Sequence, residues 1–165
     1  MLKADGSLWS FGYNGDGRLG IGSYITKDIP VNANVLATYQ DIKAGNDFIM
    51  VLREGGTVWT AGNNKSGQLG NGTTLKQNKL NRIANLTNIK KISAGKDYAI
   101  ALDDYGIVYE WGKGILEATK KQSITQTVLD ISCYNNQTAF VLAKGTIIGE
   151  GNILNRRNTR NNKCN

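Results

Sequence analysis

A fifty-residue internal repeat constrains the fold of this chain more than any other feature. Its best-preserved segment runs from Asp5 to Gly20 and returns at residues 55–70. A tryptophan, three glycines and a leucine recur in register, as Trp9, Gly12, Gly17, Leu19 and Gly20 in the first copy and Trp59, Gly62, Gly67, Leu69 and Gly70 in the second. A third copy keeps only the first half of the segment, from Gly106 to Gly112. A fixed period of this length is typical of propellers, solenoids and arrays of small units.

A second element of each repeat is a short apolar run bounded by polar turns. The first two runs end at Leu52 and Leu102, each after an Ala-Gly pair, and the third ends at Leu142 with one extra residue inside the unit. Such runs are typical of β-strands covered on both faces. Because no segment shows a 3.6-residue apolar period, the sequence predicts an all-β fold. We expect the aromatic residues of the following strands to pack between neighbouring sheets, namely Trp9, Trp59 and Tyr109.

The positive charge of the chain is concentrated at its end. The 165 residues include 20 basic and 13 acidic side chains, a net charge of +7, and residues 155–165 contribute four basic residues and no acid. The rest of the chain therefore has 16 basic and 13 acidic side chains, or +3. A body so close to neutral gives little support for nucleic-acid binding. Nucleic-acid binding is therefore considered only for the segment 155–165, which we predict to be a basic, disordered tail.

No part of the sequence is typical of a signal peptide or a membrane span. Met1 to Lys3 lead directly into the repeat, and the longest apolar runs are about five residues. These features favour a cytoplasmic location and no membrane partner, unless the chain is an internal fragment. The two cysteines, Cys133 and Cys164, lack the short spacing of a zinc ribbon or a redox site, so we expect both to be unpaired.

One loop matches a nucleotide-binding pattern by letter. Gly15 to Gly20 reads G-x-G-x-x-G, but that motif binds pyrophosphate only between a strand and a helix. The second copy has Lys65 in place of the first glycine, and no helical pattern follows either copy. A repeat turn is the better interpretation, and we predict no cofactor.

Few residues are suited to catalysis. The chain has no histidine, which removes the commonest general base. Asp5, Asp103 and Asp104 stand next to turns, where aspartate is ordinary, although carboxylates facing each other across neighbouring units are the alternative. Asp47 and Asp97 recur in phase and are expected to order the Ala-Gly turns by accepting backbone hydrogen bonds. We therefore predict no enzyme activity and no catalytic or metal-binding residues.

The repeated residues resemble the repeat of the regulator of chromosome condensation family. The resemblance rests on the Ala-Gly turns, on the strands with Leu8-Trp9 and Val58-Trp59, and on the loops at 14–20 and 64–70, and it covers about residues 2–154. It implies a β-propeller of seven blades, each a four-stranded sheet. The family often has a histidine near the start of the apolar strand, where this chain has Phe48, Tyr98 and Thr138.

About three units cannot close a ring of seven blades. We therefore predict an all-β fold in the form of a partial β-propeller of about three four-stranded antiparallel blades, not closed by this chain alone. The expected repeat domain is 1–154, with units at about 1–36, 37–86, 87–130 and 131–154. The open sheet edges at both ends favour further repeats, or another copy of the chain, as the elements that complete the propeller.

A propeller places the loops of successive blades on a common face, which suits recognition of a protein partner. The leading hypothesis is a non-enzymatic protein-interaction module. The resemblance also implies two alternatives, guanine-nucleotide exchange on a small GTPase and inhibition of an enzyme through the propeller face. The candidate partner-binding residues are loop positions that we expect to be exposed and whose identity changes between the copies, namely Tyr13, Asp16, Arg18, Asn63, Lys65 and Gln68.

Overall fold

The computed structural model describes residues 1–33 and 37–151 of the chain. In these residues the strands are β1 (Trp9–Gly12), β2 (Lys27–Asn32), β3 (Tyr39–Ala44), β4 (Phe48–Arg53), β5 (Thr57–Gly62), β6 (Gln77–Arg82), β7 (Ile89–Ala94), β8 (Tyr98–Asp103), β9 (Val108–Gly112), β10 (Ile115–Lys120), β11 (Val128–Tyr134), β12 (Gln137–Leu142) and β13 (Ile147–Gly151). They form four antiparallel sheets, of order β1-β2, β3-β4-β5-β6, β10-β9-β8-β7 and β11-β12-β13, here numbered first to fourth. No helix occurs in the described ranges.

The sheets form a partial propeller that does not close. The second and third sheets are complete four-stranded meanders, whereas the first has two strands and the fourth has three. The predicted all-β fold and the absence of ring closure are confirmed. The fourth sheet begins at Val128, ahead of the predicted unit boundary at 131. The end of the first predicted unit, near residue 36, and the predicted tail at 155–165 lie outside the described residues.

Each pair of neighbouring sheets encloses its own apolar layer, because side chains along a strand alternate between the two faces. In β8, Ala99 and Ala101 pack toward the second sheet, whereas Ile100 and Leu102 pack toward the fourth. The layer between the second and third sheets also contains Trp111, which is fully buried. A sheet in this fold is therefore covered on both faces only where it has two neighbours.

The expected packing of strand aromatics between sheets is found for Trp59 and Tyr109. Trp59 packs against the layer between the first and second sheets, and Tyr109 against the layer between the second and third. The Arg53 guanidinium lies 4.8 Å from the centroid of the Trp59 ring, and the Lys3 ammonium lies 3.9 Å from that of Trp9. A cation over the tryptophan face is therefore a repeated feature at the fifty-residue spacing.

The turn between β4 and β5 requires a glycine for two reasons. Gly56 has a φ of 69°, in the left-handed region that other residues rarely adopt. A Cβ at this position would also lie 2.7 Å from the backbone nitrogen of Ile89 and 2.8 Å from the Cα of Asn88. The Ile89 N–H donates to the Gly56 carbonyl at 3.0 Å. The missing side chain thus allows the hairpin of one sheet to hold the start of the next.

The register of the fourth sheet differs from the sequence alignment by one residue. In the third sheet Leu102 lies opposite Lys91, and in the fourth sheet Val141 lies opposite Asp130. Val141 therefore takes the place of Leu102, and the predicted alignment of Leu142 with Leu102 is wrong. The backbone hydrogen bonds between the strands set the register, and the position of Leu142 does not. With this register the unit contains no extra residue, so that inference from the sequence is also wrong.

The same shift changes the residue at the start of the apolar strand. Tyr98 lies opposite Gly112, the last residue of β9, and Gln137 lies opposite Gly151, the last residue of β13. Gln137, rather than the predicted Thr138, is therefore the counterpart of Tyr98. Because strand neighbours point to opposite faces, this exchange puts a polar side chain on the face of the fourth sheet that is directed away from the third.

Candidate functional site on the loop face

One edge of the sheets carries all the candidate residues. In an antiparallel meander the first and third connections emerge at the same edge, so the turn after β3 lies beside the connection after β5. The Asn63 N–H donates to the Asp47 carbonyl at 2.8 Å, and the Lys113 N–H donates to the Asp97 carbonyl at 3.1 Å. We call this edge the loop face, formed by residues 13–26, 45–47, 63–76, 95–97, 113–114 and 134–136.

The turns after β3, β7 and β11, here called the inner turns, form a hydrogen-bonded ladder across three sheets. The Asn46 N–H donates to the Lys96 carbonyl at 3.0 Å, and the Lys96 N–H donates to the Asn135 carbonyl at 2.9 Å. Glycine permits this close approach, since a Cβ on Gly45 would lie 2.8 Å from the Gly95 carbonyl oxygen and a Cβ on Gly95 2.4 Å from that of Asn135. The inner turns line a cavity of about 610 Å³.

The long connections after β1 and β5 are each folded around a buried asparagine. Asn64 Oδ1 accepts the Leu69 N–H at 2.9 Å, and its Nδ2 donates to the Thr73 carbonyl at 2.8 Å and to Asn71 Oδ1 at 3.0 Å. In the first copy an equally buried asparagine forms the corresponding clamp, in which Asn14 binds Leu19, Ser23 and Ile25. The recurrence of asparagine at the repeat spacing, as Asn14 and Asn64, is the sequence signal for this role.

Most of the predicted partner-binding residues are exposed or half-buried in the structure. The Tyr13 side chain is 63% exposed and Lys65 is exposed, whereas Asp16 and Asn63 are half-buried. Gln68 is only 4% exposed, because its loop is covered by the third sheet. The expectation that Gln68 is an exposed loop residue is therefore wrong, and the binding roles of the others stay predictions.

Arg18 connects the first sheet to the second. Its guanidinium lies 2.7 Å from Asp16 Oδ2 and 2.8 Å from Asp47 Oδ1, and it donates to the Asn46 carbonyl at 3.0 Å. The Asp47 carboxylate is thus engaged by Arg18, so its predicted role in ordering the Ala-Gly turn by accepting backbone hydrogen bonds is wrong. The carbonyl of Asp47, rather than its side chain, ties the inner turn to the connection after β5.

The next pair of sheets lacks this ion pair. Gln68 stands fifty residues after Arg18, and Asp97 stands fifty residues after Asp47. The Gln68 side chain turns back to accept the Ser66 N–H at 2.9 Å. Asp97 Oδ1 is buried and has no hydrogen-bond partner among the described residues. A buried carboxylate oxygen without a donor costs free energy, so this contact is a weak point of the repeat.

Replacing Gln68 with arginine is expected to rebuild the missing pair with Asp97. A hydrogen bond to a charged group adds about 1–2 kcal/mol, so the free energy of unfolding should rise by about that amount. Urea unfolding followed by circular dichroism measures the gain. In the double variant Q68R/D97N the gain should disappear, because the carboxylate is gone. A Q68R protein no more stable than the parent would contradict the assignment.

The acidic turn residues act within their own hairpins. Asp5 Oδ1 accepts the Ser7 hydroxyl at 2.6 Å and the Ser7 N–H at 2.9 Å, and these hydrogen bonds hold the pKa of Asp5 below its usual value. Asp103 Oδ1 accepts the N–H groups of Tyr105 at 3.0 Å and Ile107 at 2.8 Å. Asp5 belongs to the first sheet and Asp103 to the third, so the structure does not bring them together as paired carboxylates.

A buried polar cluster joins the third and fourth sheets. Lys121 Nζ lies 2.8 Å from Glu110 Oε2 and 2.9 Å from Glu150 Oε2, and the Tyr98 hydroxyl donates to Glu110. Burial, together with the hydrogen bond and charge of Glu110, raises the pKa of Tyr98. Burial by itself lowers the pKa of Lys121, but the hydrogen bonds to both glutamates raise it above its usual value. Lys121 is therefore a charged contact between sheets.

Replacing Lys121 with methionine is expected to cost about 1–2 kcal/mol, since it removes charge-assisted bonds from two partly buried glutamates. Because the pKa of Lys121 is raised on folding, its contribution is complete below the unfolded-state pKa and is lost as the pH rises through the folded-state value. The penalty should therefore shrink above about pH 10. Unfolding measured at neutral and alkaline pH tests this. The exposed pair Lys91–Asp130 supplies the control, K91M, which should cost less than about 0.5 kcal/mol.

Metal and membrane sites find no support in the ranges 1–33 and 37–151. No group of three or more histidine, cysteine, aspartate or glutamate side chains is placed there to hold a metal ion. No helix in those ranges is long and apolar enough to cross a membrane. Cys133 is unpaired, as expected, and burial raises the pKa of its thiol. The expectation for Cys164 lies outside the described residues.

Comparison with protein families identifies the repeat. The model of the regulator of chromosome condensation (RCC1) repeat matches residues 5–52 and 55–102, which is more than half of the chain. The chain belongs to this family. A second RCC1 repeat model matches residues 39–68. No match was found among curated protein sequences.

Solved structures of RCC1-like proteins share the fold. Human WBSCR16 has 17% identity and a TM-score of 0.78 over 87% of this chain and 42% of that chain. Yeast RCC1 (Prp20) bound to Kap60 has 18% identity and a TM-score of 0.74 over 91% of this chain and 40% of that chain. Prp20p from Saccharomyces cerevisiae has 19% identity and a TM-score of 0.70 over 81% and 39%. This chain therefore spans about two fifths of the length of these structures.

Proposed function

We propose that the chain is a non-enzymatic protein-interaction module that binds a protein partner through the loop face. The observation that carries this proposal is the ladder of inner turns, in which Asn46 donates to Lys96 and Lys96 donates to Asn135. The ladder holds loops from three sheets in fixed relative positions. A preformed surface binds with little ordering cost, which favours recognition of a partner by several loops at once.

The side chains on this face suit a protein partner. Tyr13 is 63% exposed and Tyr134 is 73% exposed, and each extends a large ring from a hydrogen-bonded loop or turn. Tyrosine is enriched at protein interfaces because its ring supplies apolar contact area and its hydroxyl a hydrogen bond. Lys65 and Lys96 are exposed on the same face and add positive charge. The loop face therefore combines contact area with charge.

The solved relatives support a protein as the class of partner. The yeast relative is described by its binding properties to Gsp1p and histones, and a second structure contains it bound to Kap60. Because this chain covers about two fifths of that protein, the proposal takes over the class of partner and not these individual proteins. Exchange on a small GTPase and enzyme inhibition are alternatives within the same class, and no described contact favours either.

Proximity labelling in the native cell would identify a partner, whose affinity for the purified chain is then measured by calorimetry. We expect Y13A and K65A to weaken binding by about fivefold or more, as for contacts inside an interface. The matched control is Y105A, on the opposite edge formed by residues 54–56, 104–106 and 143–146, where Tyr105 is 72% exposed. Y105A should change the affinity by less than about twofold.

Two results would overturn the proposal. One is a partner whose binding is weakened by Y105A and left intact by Y13A and K65A, because the loop face would then be the wrong surface. The other is a partner that the purified chain converts chemically, since the module would then be an enzyme. A nucleotide-release measurement on any partner that is a small GTPase separates plain binding from exchange.

A further inference from the structure

The third inner turn differs from the other two at one position. In the first two turns glycine precedes the ladder residues Asn46 and Lys96, whereas Tyr134 precedes Asn135 in the third. Tyr134 is 73% exposed and lines the inner-turn cavity of about 610 Å³. The third turn thus holds a large aromatic ring at the rim of a polar cavity, at a position where the other two turns have glycine.

Lys96 is the lysine that lines this cavity. Two further exposed lysines, Lys65 and Lys113, lie on neighbouring turns, where the Lys113 ammonium is 4.8 Å from the centroid of the Tyr98 ring. Their backbones are adjacent, because the Lys113 N–H donates to the Asp97 carbonyl at 3.1 Å and the Gly114 N–H donates to the Ser66 carbonyl at 2.9 Å. Lys96 is the central member, since its own backbone N–H and carbonyl form the ladder that lines the cavity.

The carboxylates of the inner turns do not cancel the positive charge of these lysines. Asp47 is already bound by Arg18 at 2.8 Å. The third turn has Asn136 where the first two have aspartate. Arg18 is shared between Asp47 and Asp16, so the turns around the cavity carry four cations, Arg18 and the three lysines, against the three carboxylates of Asp16, Asp47 and Asp97, a net charge of +1. A ligand with negative charge is therefore favoured at this place.

We propose that the inner-turn cavity binds a carboxylate-bearing segment of a protein partner, with Lys96 as the central cation and Tyr134 as the apolar anchor. This inference rests on the proposed function and names the chemical class of the partner. A lysine ammonium forms a charge-assisted hydrogen bond with a carboxylate. The side-chain amides of Asn46 and Asn136, which also line the cavity, can donate further hydrogen bonds. Tyr134 supplies the ring against which the rest of the segment packs.

An acidic protein segment fits these groups better than a nucleic acid does. Binding to a phosphate backbone generally engages about 6–10 phosphates with a track of lysine and arginine. The patch around the cavity has three lysines with Asp97 among them. Its cations lie on adjacent turns and not along an extended track, so a few carboxylates suffice to neutralise them.

Fluorescence anisotropy with the full chain tests the inference. The probe is a fluorescein-labelled peptide of alternating glutamate and glycine, compared with a glutamine–glycine peptide and an oligothymidine of equal length. We expect the glutamate peptide to bind most tightly, and both K96Q and Y134G to weaken it by about fivefold or more. The matched control is K144Q, at an exposed lysine on the opposite edge, which should change the affinity by less than about twofold.

Y134G introduces the residue type of the other two inner turns, so the fold is expected to be retained, and circular dichroism checks this. Equal binding of the glutamine peptide would overturn the inference, as would a K144Q effect as large as that of K96Q. Tighter binding of the oligothymidine would replace the acidic partner with a nucleic acid. If the glutamate peptide does not bind while the native partner still depends on Tyr13 and Lys65, this inference fails and the proposed function stands.

Discussion

Replacing Trp111 with alanine is expected to lower the free energy of unfolding by about 3–5 kcal/mol, the range for removing a large buried aromatic side chain. Trp111 is fully buried in the layer between the second and third sheets. Its indole N–H donates to the Gln68 carbonyl at 3.0 Å. A Cβ on Gly70 would lie 2.9 Å from the ring, so the loop after β5 is packed directly against it. W111A thus removes apolar contacts and the anchor of that loop together.

Phe11 supplies the matched control for this experiment. It precedes the last glycine of β1 as Trp111 precedes the last glycine of β9, so both have the same place in the repeat. Phe11 is 56% exposed because no described sheet covers that face of the first sheet. F11A should therefore cost less than about 1 kcal/mol in the same urea titration. A W111A cost no larger than that of F11A would show that the layer between the sheets is not a principal source of stability.

Much of the fold followed from the spacing of a few residue types. Glycine recurs at the fifty-residue spacing as Gly6, Gly56 and Gly106, which is typical of a tight turn, and Gly56 has a positive φ in the β4–β5 turn, where a side chain would strike the next sheet. Trp59 and Tyr109 were expected between sheets and are found there. These features were predictable because each depends on local conformation or on the burial of one large side chain, which a repeat displays several times over.

The register of the last sheet could not be predicted in the same way. Aligning leucines placed Leu142 on Leu102, whereas the ladder pairs Val141 with Asp130 as it pairs Leu102 with Lys91. Val141 and Leu142 are adjacent and both apolar, so either one fits the sequence pattern of an apolar run that ends at Leu102. Only the backbone hydrogen bonds distinguish them, and a shift of one residue exchanges the faces of the strand.

The candidate site was the least predictable part because variation between copies has more than one cause. Arg18 and Gln68 differ between the copies, and this difference was read as a sign of partner recognition. In the structure Arg18 binds Asp47 of the next sheet, while Gln68 is buried and leaves Asp97 Oδ1 without a donor. Contacts between sheets are not visible in a sequence until the sheets are placed, so such variation does not by itself mark a binding residue.

Replacing Asn64 with alanine is expected to cost about 2–4 kcal/mol, because each buried polar group left without its partner costs about 1–3 kcal/mol. Asn64 is fully buried, and its side chain binds the Leu69 N–H, the Thr73 carbonyl and Asn71 Oδ1. The Leu69 N–H is itself buried and would lose its acceptor. Since Leu69 also belongs to the layer against the third sheet, the loss of the clamp should loosen that layer as well.

The neighbouring Asn63 supplies the control, because it is a polar loop residue that is not part of the clamp. Its Oδ1 accepts the Lys65 N–H at 3.0 Å near the surface, so N63A should cost at most about 1 kcal/mol. Hydrogen exchange followed by mass spectrometry should show faster exchange of the Leu69 N–H in N64A, while N63A leaves it protected. If the two variants instead lose the same stability and Leu69 stays protected in both, the repeated asparagine is only a turn residue and the loop is held by Leu69 alone.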